Sequence, residues 1–100
     1  MSTYLDTFES ARNYGIGMAG VDPKTVTLIE DDALRVQSAA GFLSDPNTPE
    51  GQEMIRKDLE GQRGFRFKNK NDVDVTIVVA PFRDGFCVWG ILPSGAAMRF

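Results

Sequence analysis

Hydrophobic residues change their spacing about two-thirds of the way along the chain. Up to about residue 62 they recur at intervals of three and four, and from Gly64 onward they alternate with polar residues. The first spacing is typical of amphipathic helices and the second of half-buried strands. The pattern therefore predicts one α+β domain covering residues 1–100, in which about three N-terminal helices pack on one face of a C-terminal antiparallel meander of three or four strands.

The first predicted helix begins at the N-terminus, where Ser2 or Thr3 can cap it. Three glycines, Gly15, Gly17 and Gly20, end it. Its apolar stripe consists of Tyr4, Leu5, Phe8, Ala11 and Tyr14.

The second predicted helix starts at Asp22 and Pro23, because aspartate is a good N-cap and proline fits the first turn. Its stripe consists of Val26, Ile29, Ala33, Val36, Ala40 and Leu43. The segment Thr25–Glu30 is also rich in β-branched residues, so a short strand is the alternative there. The longer periodicity favours the helix.

The third predicted helix follows Thr48 and Pro49, and Gly61 or Gly64 ends it. Its apolar stripe is short and consists of Met54, Ile55 and Leu59.

The first two predicted strands form a hairpin whose loop length decides the pairing. A three-residue loop, residues 69–71, pairs Phe67 with Val73 and places Lys68 opposite Asp72, whereas a five-residue loop keeps the faces and shifts the pairs. A turn over residues 81–85, with Asp84-Gly85 as its strongest signal, leads into a third strand, residues 86–92, that is apolar on both faces. Residues 96–100 are a weaker fourth strand. The predicted core is Phe8, Ile29, Ala33, Val36, Ala40, Ile55, Leu59, Phe65, Phe67, Val75, Ile77 and Trp89.

The composition excludes several classes of chemistry. The chain has no histidine and a single cysteine, Cys87, so it cannot form Ser-His or Cys-His nucleophile pairs or the usual zinc sites. We therefore expect no enzyme, no cofactor and no metal. A lone cysteine, no secretory signal and no apolar run long enough for a bilayer favour a cytoplasmic protein.

Charge is unevenly distributed along the chain. Up to Glu53 there are nine acidic residues against three basic ones, a net charge of −6, whereas residues 56–70 carry +4. The basic band consists of Arg56, Lys57, Arg63, Arg66, Lys68 and Lys70, and with Phe65 and Phe67 it resembles the surface of a nucleic-acid-binding strand. Alternation places both phenylalanines on the opposite face, however, and a sequence pI of about 4.8 argues against nucleic acid.

The glycines of residues 15–20 match the dinucleotide-binding pattern G-x-G-x-x-G. That pattern needs a preceding strand and a βαβ unit, and neither is predicted here. A connection between helices that uses the positive φ of glycine is the favoured interpretation.

The charge and apolar patterns favour a small non-enzymatic protein that binds another protein as a regulator or inhibitor, such as the accessory proteins that phages and mobile elements encode. The predicted contacts are acidic residues of the second helix and apolar residues near turns and the C-terminus: Glu30, Asp31, Asp32, Phe82, Phe86 and Phe100. The first alternative is a structural subunit of a larger assembly such as a virion, in which copies of the chain form a homo-oligomer. The second alternative is a nucleic-acid-binding module that uses the basic band.

Overall fold

A five-stranded antiparallel sheet is the centre of the structure, a computed structural model that describes residues 5–36, 45–82 and 85–100. The strands lie side by side in their order along the chain. In chain order the elements are α1 (Phe8–Met18), β1 (Ile29–Asp31), α2 (Pro49–Gly61), β2 (Arg63–Lys68), β3 (Asp74–Phe82), β4 (Gly85–Ile91) and β5 (Ala97–Arg99). The predicted α+β class and antiparallel sheet are confirmed, and the sheet has five strands where three or four were predicted.

Within the described residues, the helices differ from the prediction in number and in order. Two helices occur in the part of the chain that the structure describes, and β1 lies between them, so the helices do not all precede the sheet. Asp22 forms only a turn, in which its side chain accepts a hydrogen bond from the N–H of Lys24 at 2.9 Å. Thr25 lies in that turn, residues 26–28 are in neither helix nor strand, and Ile29 pairs with Arg66 of β2. The strand alternative is therefore correct only for the end of the segment, and Ala40 and Leu43 lie outside the described residues.

Helix α1 begins later than predicted. Thr7 is its N-cap, and the Thr7 and Ser10 side chains form a capping box. Leu5 is extended instead of helical, since it exchanges backbone hydrogen bonds with Phe86 at 3.2 and 2.8 Å. Ser2 and Thr3 lie outside the described residues. The third predicted helix is confirmed as α2, with Thr48 as N-cap.

The β2–β3 hairpin has the five-residue loop. Phe67 pairs with Val75, and Lys68 pairs with Asp74. The side chain of Asn69 stabilises this longer loop by accepting hydrogen bonds from the N–H groups of Asn71 at 2.9 Å and Val73 at 3.0 Å. Val73 consequently lies in the loop instead of the strand, and its side chain is exposed.

The core consists of two clusters, one on each face of the sheet. Helix α1 covers the first, which contains Ala11, Ile16, Phe65, Phe67, Ile77, Val79 and Val88. The second contains Val36, Val78, Ala80, Cys87 and Trp89. Two predicted core residues are wrong: Ile29 is 64% exposed on the edge strand, and Ala33 is exposed in the turn after it.

Candidate functional site

An open groove with a volume of about 340 Å³ lies between the C-terminal end of α1 and strands β3, β4 and β5. It opens at the end of the sheet opposite the Phe82–Gly85 pair of β3 and β4. The lining residues are Met18, Ala19, Asn69, Val73, Asp74, Val75, Thr76, Gly90, Ile91, Leu92, Pro93, Met98 and Phe100. Apolar side chains dominate this list, so the groove is suited to an apolar group.

Exposed hydrophobic side chains are concentrated in this groove. Within the described ranges, the exposed large hydrophobic residues are Met18, Ile29, Met54, Val73, Leu92 and Met98. Four of these six line the groove. Scattered exposed hydrophobic residues are normal in monomers, but a cluster marks a surface that binds something.

The end of α1 places Met18 at the groove. Gly20 has a φ of 79°, and the helix closes with hydrogen bonds from Gly20 N–H to the Gly17 carbonyl at 2.9 Å and from Val21 N–H to the Ile16 carbonyl at 3.3 Å. This is a Schellman motif, which needs glycine at the left-handed position. The motif stops α1 at Met18, so the last helical side chain lies beside the sheet end.

The same hydrogen bonds decide the role of the glycine-rich segment. The N–H groups of Ala19, Gly20 and Val21 all donate to carbonyls of α1. They are therefore not available to a phosphate group, which a dinucleotide site requires. The positive φ of Gly20 agrees with the connection that the sequence predicts, although Gly15 and Gly17 lie within the helix.

Phe100 forms part of the groove wall and depends on Gly90. A Cβ atom on Gly90 would lie 2.5 Å from Cζ of Phe100, so the glycine provides the space for the ring. The N–H of Phe100 donates to the Val88 carbonyl at 3.0 Å, which continues the β4–β5 pairing beyond Arg99. The groove wall is therefore fixed by backbone hydrogen bonds.

The groove has little charge. Asp74 is the single charged lining residue, and its carboxylate pairs with Lys68 at 2.9 Å. This hydrogen bond raises the pKa of the Lys68 ammonium group. The other polar side chains are those of Asn69 and Thr76. The arrangement can bind an apolar surface but offers no pair of groups for acid–base chemistry.

The structure places the predicted acidic contacts away from this groove, on and beside β1. Glu30 forms an ion pair with Arg63, and Asp31 forms one with Arg66 at 2.7 Å. Asp32 is exposed in the turn after β1. Two of the three carboxylates thus bind the basic band of the same chain.

The three predicted aromatic contacts are separated. Phe86 is half-buried and packs edge-to-face on Phe8, with ring centroids 5.9 Å apart. Phe82 lies on the other face beneath Arg99, whose Cζ is 4.3 Å from the ring centroid. Phe100 alone reaches the groove.

The basic band is largely neutralised by neighbouring carboxylates. Arg56 pairs with both Glu53 and Glu60 on α2, and these contacts lower the pKa of Glu53 and raise that of Arg56. Lys57 and Lys70 are exposed. Phe65 and Phe67 are buried beneath α1, so they present no stacking surface to bases.

The second sheet face contains the cysteine. Cys87 is 2% exposed, and burial raises the pKa of its thiol, an effect that Arg99 partly offsets. An elevated thiol pKa makes a poor nucleophile. The described part of the chain contains no group of three or more metal-ligating side chains and no helix long and apolar enough to cross a membrane.

Comparisons with models of protein families, with curated proteins and with solved structures found no match.

Sequence reasoning missed the groove because its residues come from four separate segments. Met18 looked like part of a glycine-rich connection, and Val73 was assigned to the strand. Phe100 is the predicted contact that does line the groove, and the apolar residue Met98 two positions before it was the available signal.

Proposed function

We propose that this chain is a small non-enzymatic protein that binds another protein through the apolar groove and regulates or inhibits that partner by occluding its surface. The observation that supports the proposal is the concentration of Met18, Val73, Leu92 and Met98 in one groove. Large contiguous apolar patches on soluble domains are usually interaction sites.

The chemistry of the rim fits a protein partner. Methionine side chains are flexible and polarizable, so Met18 and Met98 can adapt to the shape of an apolar partner surface. The groove lining contains no basic side chain, and its one carboxylate, that of Asp74, is paired with Lys68. An apolar site without basic side chains suits a protein side chain better than a phosphate backbone.

The proposal is tested by capture with matched variants. The tagged chain is incubated with a lysate of its source organism, beside Met98→Asp and Met54→Asp variants. Met98 is 51% exposed in the groove, and Met54 is 56% exposed on α2, so both changes place a carboxylate at a similarly exposed methionine. We expect a stoichiometric protein that is retained by the original chain and by Met54→Asp but lost by Met98→Asp.

Two results would count against the proposal. Equal retention by Met98→Asp and Met54→Asp would show that binding does not use the groove. Retention of nucleic acid with a steep salt dependence would instead favour the basic band. Circular dichroism and thermal unfolding of all three proteins control for loss of fold.

A further inference from the structure

Strand β5 forms the sheet edge beside the groove and, among the described strands, is bonded to β4 alone. The Ala96 carbonyl and the Phe100 N–H point toward β4, where they bond to Leu92 and Val88. Because backbone groups alternate in direction along a strand, those of Ala97 point outward. An edge with outward-pointing polar groups is a template for another strand.

The two edges of the sheet differ in charge. Strand β1 carries Glu30 and Asp31, and side-by-side copies of it would bring carboxylates together. Strand β5 has the sequence Ala-Met-Arg, with a further alanine before it and no acidic residue. The groove side of β5 presents Met98 and Phe100, and its one charged residue, Arg99, lies on the other face over Phe82, so charge does not protect the groove side of this short edge.

We propose that a second copy of this chain occupies the groove region, with β5 of each copy pairing antiparallel around a two-fold axis. The inference rests on the proposed function, in that it takes the groove for an interaction surface, which the second copy covers until a partner protein displaces it. The pairing places Met98 opposite Met98 of the second copy and Ala97 opposite Arg99 of the second copy, so no like charges are directly opposed. Such an interface is self-complementary.

The side chains on the groove face fit this pairing. Met98 of each copy meets its equivalent at the axis, where opposed Cβ atoms are about 5 Å apart. Ala96 lies opposite Phe100 of the second copy. Because the alanine side chain is small, it does not separate the groove of one copy from the groove of the other. The exposed apolar rim, Leu92 and Met98, is thereby brought against apolar atoms of the second copy.

The size of the surface predicts a weak dimer. A standard interface uses about 20–30 residues on each side. Thirteen residues line the groove, and not all of them face the β5 edge. The association is therefore reversible and dependent on concentration.

Sedimentation velocity over a range from about 10 μM to about 1 mM, where weak interfaces populate dimers, tests the inference. We expect the weight-average mass of the original chain and of Met54→Asp to rise from 11.0 kDa toward twice that value. Met98→Asp and Ala97→Pro should stay at 11.0 kDa. The proline removes an outward-pointing N–H, which edge strands tolerate, and leaves the groove apolar.

A constant mass of the original chain, or equal dimerisation of Ala97→Pro, would overturn the inference. Lysate capture with Ala97→Pro separates this outcome from failure of the proposed function. Groove-dependent capture without dimers would mean that another protein is the occupant. Dimers that need Met98 and Ala97, without groove-dependent capture, would mean that the second copy is the occupant and that the proposed regulator function is wrong.

Discussion

The carboxamide of Gln62 bonds to both backbone groups of Val36. The N–H of Val36 donates to Oε1 at 2.7 Å, and Nε2 donates to the Val36 carbonyl at 3.0 Å. Gln62 is 2% exposed and directly precedes β2. Val36 lies in the segment after β1, 26 positions before Gln62 in the chain. One side chain thus holds the segment after β1 against the end of α2.

Replacing Gln62 by alanine should destabilise the fold strongly. The change leaves the buried N–H and carbonyl of Val36 without these partners, which costs about 2–4 kcal/mol. Urea unfolding measures the loss. Gln52→Ala is the matched control, because the Gln52 side chain is exposed and donates one hydrogen bond to Pro46. A loss of less than about 1 kcal/mol for Gln62→Ala would contradict the structural role.

Alanine substitutions at two glycines of α1 should change the stability of the protein in opposite directions. A Cβ atom on Gly15 would lie 2.6 Å from Cγ1 of Val88, whereas Gly17 has no heavy atom within 4 Å of that position. Overpacking at Gly15 should destabilise the protein by about 1–2 kcal/mol despite better helix propensity. Gly17→Ala should stabilise it by about 0.5–1 kcal/mol. Thermal unfolding of the two variants is the measurement, and equal shifts of their melting temperatures would show that α1 does not approach β4 closely.

Asp58 should make the unfolding free energy depend on pH. Burial raises the pKa of its carboxyl, although the hydrogen bond from Gln62 partly opposes this. The folded protein therefore binds the proton more tightly than the unfolded chain, and the contribution of Asp58 becomes more favourable as the pH falls through its folded-state pKa. Asp58→Asn should be more stable than the original chain at pH 7.

That advantage should disappear below about pH 4, where an ordinary carboxyl is also protonated. Asp32→Asn removes the same charge from an exposed position and serves as the control. If both variants changed the unfolding free energy by the same amount at every pH, burial of Asp58 would not be the cause of the pH dependence.

Cys87 should react slowly with thiol reagents while the protein is folded. Its side chain is buried and its thiol pKa is raised, so both access and the thiolate population are low. We expect full labelling by a disulfide reagent in guanidinium chloride and slow labelling in buffer. Rapid labelling in buffer, with the fold intact by circular dichroism, would contradict the buried position.

Local sequence signals predicted the C-terminal elements best. Alternation located Phe65, Phe67 and Ile77 on one sheet face, and the predicted third strand is observed as β4, which begins at Gly85. Asp84 of the predicted turn lies outside the described residues, whereas Pro81 and Phe82 belong to β3. Thr48 and Pro49 also located the start of α2, because helix capping depends on residues that are adjacent in the sequence.

The failures came from contacts between distant segments. Ile29 fits a helical stripe as well as a strand, and its pairing with Arg66, 37 positions away, decides the outcome. The groove was missed for a related reason, since Met18 and Met98 meet only after α1 packs on the sheet. Hydrophobic periodicity shows which side chains one element can bury but not which of them the other elements leave exposed.

The order of the strands has a consequence for the speed of folding. Strands β2 to β5 follow one another through short connections, so most backbone pairing closes short loops, and low contact order favours rapid folding. Strand β1 and helix α1 are the exceptions, because β1 pairs with β2 only after the intervening α2, and α1 packs on β4, which begins at residue 85. We expect the hairpins of β2, β3 and β4 to be formed in the transition state, and the docking of α1 to contribute mainly to the unfolding rate.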